Sequence, residues 1–209
     1  IHLGHQYLIK KIIKNAQSES LKSAILTFVP HPKVYFKKTN ANFNIITNDN
    51  KKNFLNLLGV ENYIEYKFNK TLSSLDAKSF IEKILVKQLD IKKIVVGKDF
   101  RFGKDRKGDT ALLKKLSGRY GYKLLIIRDV KNKITNVKFS SSTIRRNINE
   151  GSFEKVSYAL GRNWFMQGKI IKGNQKARLI NFPTANMKPS NHILPKKGVY
   201  CVNIKFMGN

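Results

Sequence analysis

A single cysteine among 209 residues rules out any internal disulfide, and its setting, Gly198-Val199-Tyr200-Cys201-Val202, reads as a small apolar core position. Such a chain fits a reducing compartment, so the cytoplasm is the expected location. No uninterrupted apolar run approaches the roughly 20 residues that a membrane helix needs, and no signal peptide is recognisable. Acid is scarce too, since 13 Asp and Glu face 41 Lys and Arg and leave a net charge of +28. An excess of that size raises nucleic acid as a partner. Lysines outnumber arginines 33 to 8, however, and they are spread through nearly every predicted element instead of one face or arm. Dispersed lysine favours a background composition with general attraction for anionic nucleotides over a basic nucleic-acid-binding module. No specific nucleic acid and no membrane are expected as partners.

The remaining composition is that of a globular chain, with 41% hydrophobic and 26% charged residues, and the length allows one large domain or two small ones. Leu8, Ile9, Ile12, Ile13 and Ala16 recur at helical spacing between His5 and Ser20, and Ser23 to Val29 follows as a short buried strand. The order then repeats. A helix capped by Asn48 or Asp49 carries Phe54, Leu55, Leu57 and Leu58 and ends at Gly59, before a strand from Tyr63 to Phe68. A helix from Asp76 to Leu89 precedes the strand Lys93 to Gly97, and a helix from Asp109 to Tyr120 precedes the strand Lys123 to Ile127. Strands alternating with helices of this length predict a parallel sheet with helices on its faces. After one more helix, Ser152 to Leu160, the helical period stops; Trp164 to Lys172 and Gly198 to Phe206 read as strands, which places a boundary near residue 161. The chain opens at Ile1 and stops at Asn209 inside a strand-like stretch, so it is expected to be a fragment with a second domain cut short.

Five segments carry candidate chemistry. His2-Leu3-Gly4-His5 stands where a strand should turn into a helix; its glycine admits a nucleotide to the backbone while two imidazoles and a helix N-terminus face phosphate charge. Ser140-Ser141-Ser142-Thr143-Ile144-Arg145 opens another helix with hydroxyls, backbone N–H groups and an arginine fork, as a triphosphate tail requires. Gly97-Lys98-Asp99-Phe100-Arg101-Phe102-Gly103, continued by Gly108-Asp109, leaves a strand's carboxyl end with two aromatics able to stack on a planar ring. Phe28-Val29-Pro30-His31-Pro32 stiffens a loop around a histidine. Finally, Gly173 to Arg178 and Asn181-Phe182-Pro183-Thr184-Ala185-Asn186 supply a basic glycine-bounded loop and two neutral oxygen ligands. Singly, each is also compatible with a capped or polar turn.

Taken in order, HLGH, FVPHP, VGKDFRFGKDRKGD, FSSSTIR, ALGR, NFPTAN and LPKKGVY resemble the bacterial bifunctional riboflavin kinase/FMN adenylyltransferase family, also called FAD synthetase, over nearly the whole chain. The resemblance implies an α/β Rossmann-like nucleotidyltransferase domain over 1–160, its first strand missing, followed by a truncated all-β riboflavin kinase barrel over 161–209. It implies FAD biosynthesis: phosphorylation of riboflavin to FMN by ATP, then adenylylation of FMN with release of pyrophosphate. His2, His5 and Arg145 would be catalytic, with Gly4, Gly97, Asp99, Ser141 and Ser142 completing the ATP site. Phe28, His31, Pro32, Asp99, Phe100, Arg101, Phe102 and Asp109 would hold the flavin. Gly173, Arg178 and Pro183 would form the kinase phosphate loop, and Thr184 and Asn186 would coordinate Mg²⁺ with ATP. Ala177 and Asn181 stand where the family has glycine; a β-carbon at Ala177 disfavours positive φ, whereas asparagine tolerates it. HLGH also resembles the HIGH signature of class I aminoacyl-tRNA synthetases and other nucleotidyltransferases, but those synthetases place a lysine-rich KMSKS-type loop where this chain has FSSSTIR.

Overall fold

The computed structural model describes residues 1–36, 43–128, 138–173 and 181–206. Helix α1 (Leu3–Ser18) begins two residues before the expected start at His5, because His2 caps it, and it buries Ile9 and Ala16. Strand β1 (Ala24–Val29) pairs in parallel with β2 (Asn62–Lys67), and β3 (Lys93–Gly97) pairs in parallel with β4 (Lys123–Ile127). The short α2 (Pro32–Tyr35) and the longer α3 (Asn48–Leu57) lie between β1 and β2. The cap of α3 is Thr47, whose hydroxyl accepts from the amide of Asn50, so neither Asn48 nor Asp49 has the expected role. After β2 come α4 (Lys70–Ser74) and α5, which opens with one α turn, Ala77–Ser79, capped by Asp76, and continues with the wider π winding over Phe80–Gln88. Hydrophobic periodicity places this helix without distinguishing the two windings.

The expected parallel sheet is present as two pairs that share no ladder among the described residues. What unites them is a common core. Leu26 and Phe28 of β1, Tyr66 of β2, Ile94 and Val96 of β3 and Leu124 of β4 pack with Phe80, Ile81, Ile84 and Leu85 of α5 and with Leu113 and Leu116 of α6 (Thr110–Tyr120). Ile25 and Tyr63 turn the other way, onto Ile9 of α1 and Leu55 of α3. Alternate strand residues therefore feed opposite faces, each covered by helices, as a doubly wound α/β domain requires.

Two further helices, α7 (Ser141–Asn149) and α8 (Phe153–Leu160), bury Ile144, Ile148, Val156 and Leu160 against Ile45 and Ile193. Beyond them the expected strand Trp164 to Lys172 contracts to β5 (Gly168–Ile171), antiparallel to β6 (Asn186–Pro189). The expected strand Gly198 to Phe206 is absent: Val199, Val202, Ile204 and Phe206 are exposed, and so is Cys201, which is therefore not a core residue. An apolar run becomes a strand only where a second backbone satisfies its N–H and C=O groups, and this run has no such pairing among the described residues. No helix among the described residues is long and apolar enough to cross a membrane.

Candidate active site

The far end of α1 fixes where its beginning lies. Lys93, at the start of β3, donates to Asn15 at 2.8 Å and pairs with Glu19, and Lys123, at the start of β4, reaches Glu19 at 2.9 Å. The last turn of α1 thus sits at the amino ends of these strands, and its first turn lies toward their carboxyl ends. In open α/β sheets ligands bind at that end.

There the His2-Leu3-Gly4-His5 turn closes on itself. The His2 Nδ1 accepts from the amide of His5 at 3.3 Å, and the two imidazoles stack 3.8 Å apart at 23°. Burial, reinforced by the adjacent His5 and by Lys138, lowers the His2 pKa to about 3, so its ring is neutral at physiological pH. His5 is pushed in the same direction by its crowded turn, although its exposed surface lets solvent weaken the effect. A β-carbon on Gly4 would lie 3.1 Å from the His2 ring and 3.5 Å from the Phe139 β-carbon. Glycine here gives the His2 ring its room, while Phe139, in the segment leading into α7, stands at ordinary contact distance.

That segment carries the second motif. Ser140 caps α7 by accepting from the Thr143 amide at 3.1 Å, while Ser141 and Ser142 occupy the first turn, whose amides have no acceptor inside the helix. Immediately before it, the Lys138 ammonium donates to Asp99 at 2.6 Å and so binds the third motif to the first two. Arg145 donates its Nε to the Phe43 carbonyl at 2.9 Å and lies over the Phe43 ring; that ring is 5.0 Å from His31, bringing in the fourth motif.

The loop after β3 is anchored by Phe102 and Gly108, which exchange backbone hydrogen bonds of 3.1 and 2.9 Å. Phe102 is buried against Phe80: the ring packs in the core and holds the loop down. Phe28, partly buried, packs edge-on against Phe68 and Phe80 at the side of the core. Exposed at the edges of this ring cluster are Phe100, stacked on Phe102 at 5.5 Å, and Phe36, set edge-on against Tyr35 and Phe68. Rings in contact run from Phe36 through Phe68, Phe28, Phe80 and Phe102 to Phe100, exposed at both ends and packed between. Tyr35 and Phe36, an adjacent aromatic pair three residues after Pro32, were not among the candidates named from sequence. Asp109 is committed locally, one oxygen capping α6 at 2.9 Å and the other paired with Arg101 at 3.2 Å.

In the C-terminal part, Asn186 and Ile171 are register partners, and a β-carbon on Gly173 would clash with the Asn186 side chain. Thr184, Pro183 and Asn186 are exposed, Asn181 adopts the left-handed φ of 59°, and Arg178 and Ala177 lie outside the described residues. Thr184 and Asn186 offer neutral oxygens, which suit Mg²⁺ when substrate phosphates complete the shell. No group of three or more His, Cys, Asp and Glu side chains able to hold a metal occurs among the described residues.

Parallel strands, a histidine-rich helix start and a second helix start meeting at the carboxyl end of the sheet define a nucleotide-binding α/β domain. Comparison with known families is specific: the FAD synthetase family matches residues 1–143, and the riboflavin kinase family matches residues 160–209. The chain belongs to the FAD synthetase family, with a flavokinase segment following. It is 39% identical over 210 residues to the bifunctional riboflavin kinase/FMN adenylyltransferase of Buchnera aphidicola from Acyrthosiphon pisum, covering 100% of this chain and 66% of that protein. The proteins of the same name from Haemophilus influenzae and Escherichia coli K12 are 32% and 30% identical, covering 98% and 100% of this chain and 66% of each relative. This chain thus spans about two thirds of its relatives. A crystal structure described as a macrolide-efflux protein from Streptococcus pneumoniae superposes with a TM-score of 0.82 at 29% identity, over 96% of this chain and 64% of that one.

Proposed function

We propose that the protein makes FAD from riboflavin in two ATP-dependent steps, and that residues 1–160 carry the second step, transfer of adenylyl from ATP to FMN. The observation behind this reading is the meeting of three motifs: Phe139 against Gly4, and Lys138 on Asp99, bring the histidine turn, the serine-rich helix start and the loop after β3 to one end of the sheet. In this reading the FMN phosphate attacks the α-phosphorus of ATP and pyrophosphate leaves. No covalent nucleophile is required, so the side chains position the phosphates and stabilise their charge. His2 and His5 hydrogen-bond phosphate oxygens from the start of α1; the Ser141 and Ser142 amides and Arg145 hold the triphosphate tail; Gly4 and Gly97 admit the nucleotide to the backbone. Asp99 orients the ligand beside Lys138. The isoalloxazine stacks on Phe100 or Phe36, beside His31, Pro32 and the Arg101–Asp109 pair.

Residues 161–209 contribute the opening part of the riboflavin kinase, with the β5–β6 hairpin as two strands of its barrel. Gly173, Arg178 and Pro183 border the ATP phosphates, and Thr184 and Asn186 hold Mg²⁺, which when bound neutralises phosphate charge during transfer to the riboflavin hydroxyl. Small molecules are the partners in this reading, and the cytoplasm is its setting.

The test incubates the full-length protein with riboflavin, ATP and Mg²⁺ and separates flavins by chromatography. FMN followed by FAD is expected. Absence of both, or pyrophosphate exchange that depends on an amino acid instead of FMN, would overturn the assignment.

A further inference from the structure

The geometry points to Phe43 as the positioning residue that aims the Arg145 guanidinium at the ATP phosphates, an inference that rests on the adenylyltransferase reading. An arginine must order a long, flexible side chain before it can serve as a preorganised phosphate donor. Phe43 engages Arg145 twice. Its carbonyl accepts from Nε at 2.9 Å, and its ring lies 3.5 Å beneath the guanidinium carbon. Fixing Nε and one face of the plane leaves the two terminal nitrogens as a parallel fork, the arrangement that binds a phosphate through two hydrogen bonds.

Phe43 is itself held from both sides. It is 7% exposed, and the His31 ring packs against it at 5.0 Å. The backbone just beyond it is pinned: the Ile193 amide donates to the Asn44 carbonyl at 2.9 Å, and the Trp164 indole donates to the Ile45 carbonyl at 2.9 Å. Ile144, the residue before Arg145, is buried against Ile45, so helix and clamp are anchored in one cluster. Half-buried on this support, Arg145 has its pKa lowered by desolvation to about 10, which still leaves it charged at neutral pH.

The test is a double-mutant cycle in the full-length protein, measuring kcat and KM for ATP in FMN adenylylation, with thermal melting as a check on folding. Phe43→Met, which keeps bulk and removes the aromatic face, should lower kcat/KM on the order of 10- to 100-fold. Phe43→Tyr should restore most of that loss. In an Arg145→Ala background, Phe43→Met should cost nothing further. An equal loss from Phe43→Met with and without Arg145, or no loss while Arg145→Ala is crippling, would overturn the positioning role and leave the adenylyltransferase reading intact. If Arg145→Ala makes FAD at the wild-type rate, the assignment of Arg145 to ATP fails and this inference with it. A readout in the wild-type protein needs no altered clamp: the Arg145 Nε–H resonance, assigned with Arg145→Lys, should exchange with solvent more slowly than that of a free arginine, because the Phe43 carbonyl holds it. Exchange at the free-arginine rate contradicts the clamp.

Discussion

Two phenylalanines separated by a single residue divide the work of the loop after β3. Phe102 is buried on Phe80, so Phe102→Ala should cost about 3–5 kcal/mol, read as a lower urea midpoint. Phe100 is 38% exposed, and Phe100→Ala should leave the midpoint nearly unchanged while raising KM for FMN. Equal destabilisation by both would remove the distinction. The sequence names both rings but cannot say which is buried, because a two-residue spacing in a loop has no fixed facing; the stacking of Phe100 on Phe102 is a tertiary fact. His2 supplies a pH-dependent counterpart. Its imidazole titrates near 6.5 when unfolded and at about 3 when folded, so the unfolded chain binds more protons between those values. Its contribution to stability is full above about pH 6.5 and falls as the pH drops toward 3. Urea midpoints at pH 7.5 and 5.5 should therefore differ less in His2→Asn than in wild type; equal differences would deny His2 that share.

Among the elements, the glycine that ends β3 and a glycine of the loop after it have opposite reasons. Gly103 has a φ of 72°, and a β-carbon there would stand 2.7 Å from the Ala77 Cα, so Gly103→Ala should destabilise by about 1–3 kcal/mol. A β-carbon on Gly97 meets nothing within 4 Å, so Gly97→Ala should melt like wild type while weakening ATP binding. Calorimetry paired with ATP titration separates the two; a Gly97→Ala protein that loses stability and keeps its ATP affinity contradicts the reading. The helices and parallel strands of the first part were legible because each is amphipathic or short and apolar at its own period, and β3 and β4 match their expected spans. Two features were not. Thr47 wins the α3 cap by backbone geometry, where neighbouring Asn48 and Asp49 have equally suitable side chains. Gly198 to Phe206 has strand composition without a strand partner among the described residues, and pairing is not written in one segment alone.

For the molecule as a whole, the charge of +28 is a field and not a fold determinant. Any DNA or RNA binding should be weak, independent of sequence and steeply lost with salt, because dispersed lysines neutralise phosphates without organising a base-reading surface. Fluorescence anisotropy across 50 to about 200 mM salt checks this, and sequence-selective binding surviving at the upper end would contradict it. The motifs themselves were readable in sequence; their convergence was not, since Gly4 meets Phe139, and Asp99 meets Lys138, only through the folded sheet. That convergence is the central claim, and His5→Ala tests it most directly. In the full-length protein with riboflavin, ATP and Mg²⁺, the substitution should cut FMN-to-FAD conversion on the order of 100-fold and leave riboflavin phosphorylation largely intact. FAD formation at close to the wild-type rate would contradict the account.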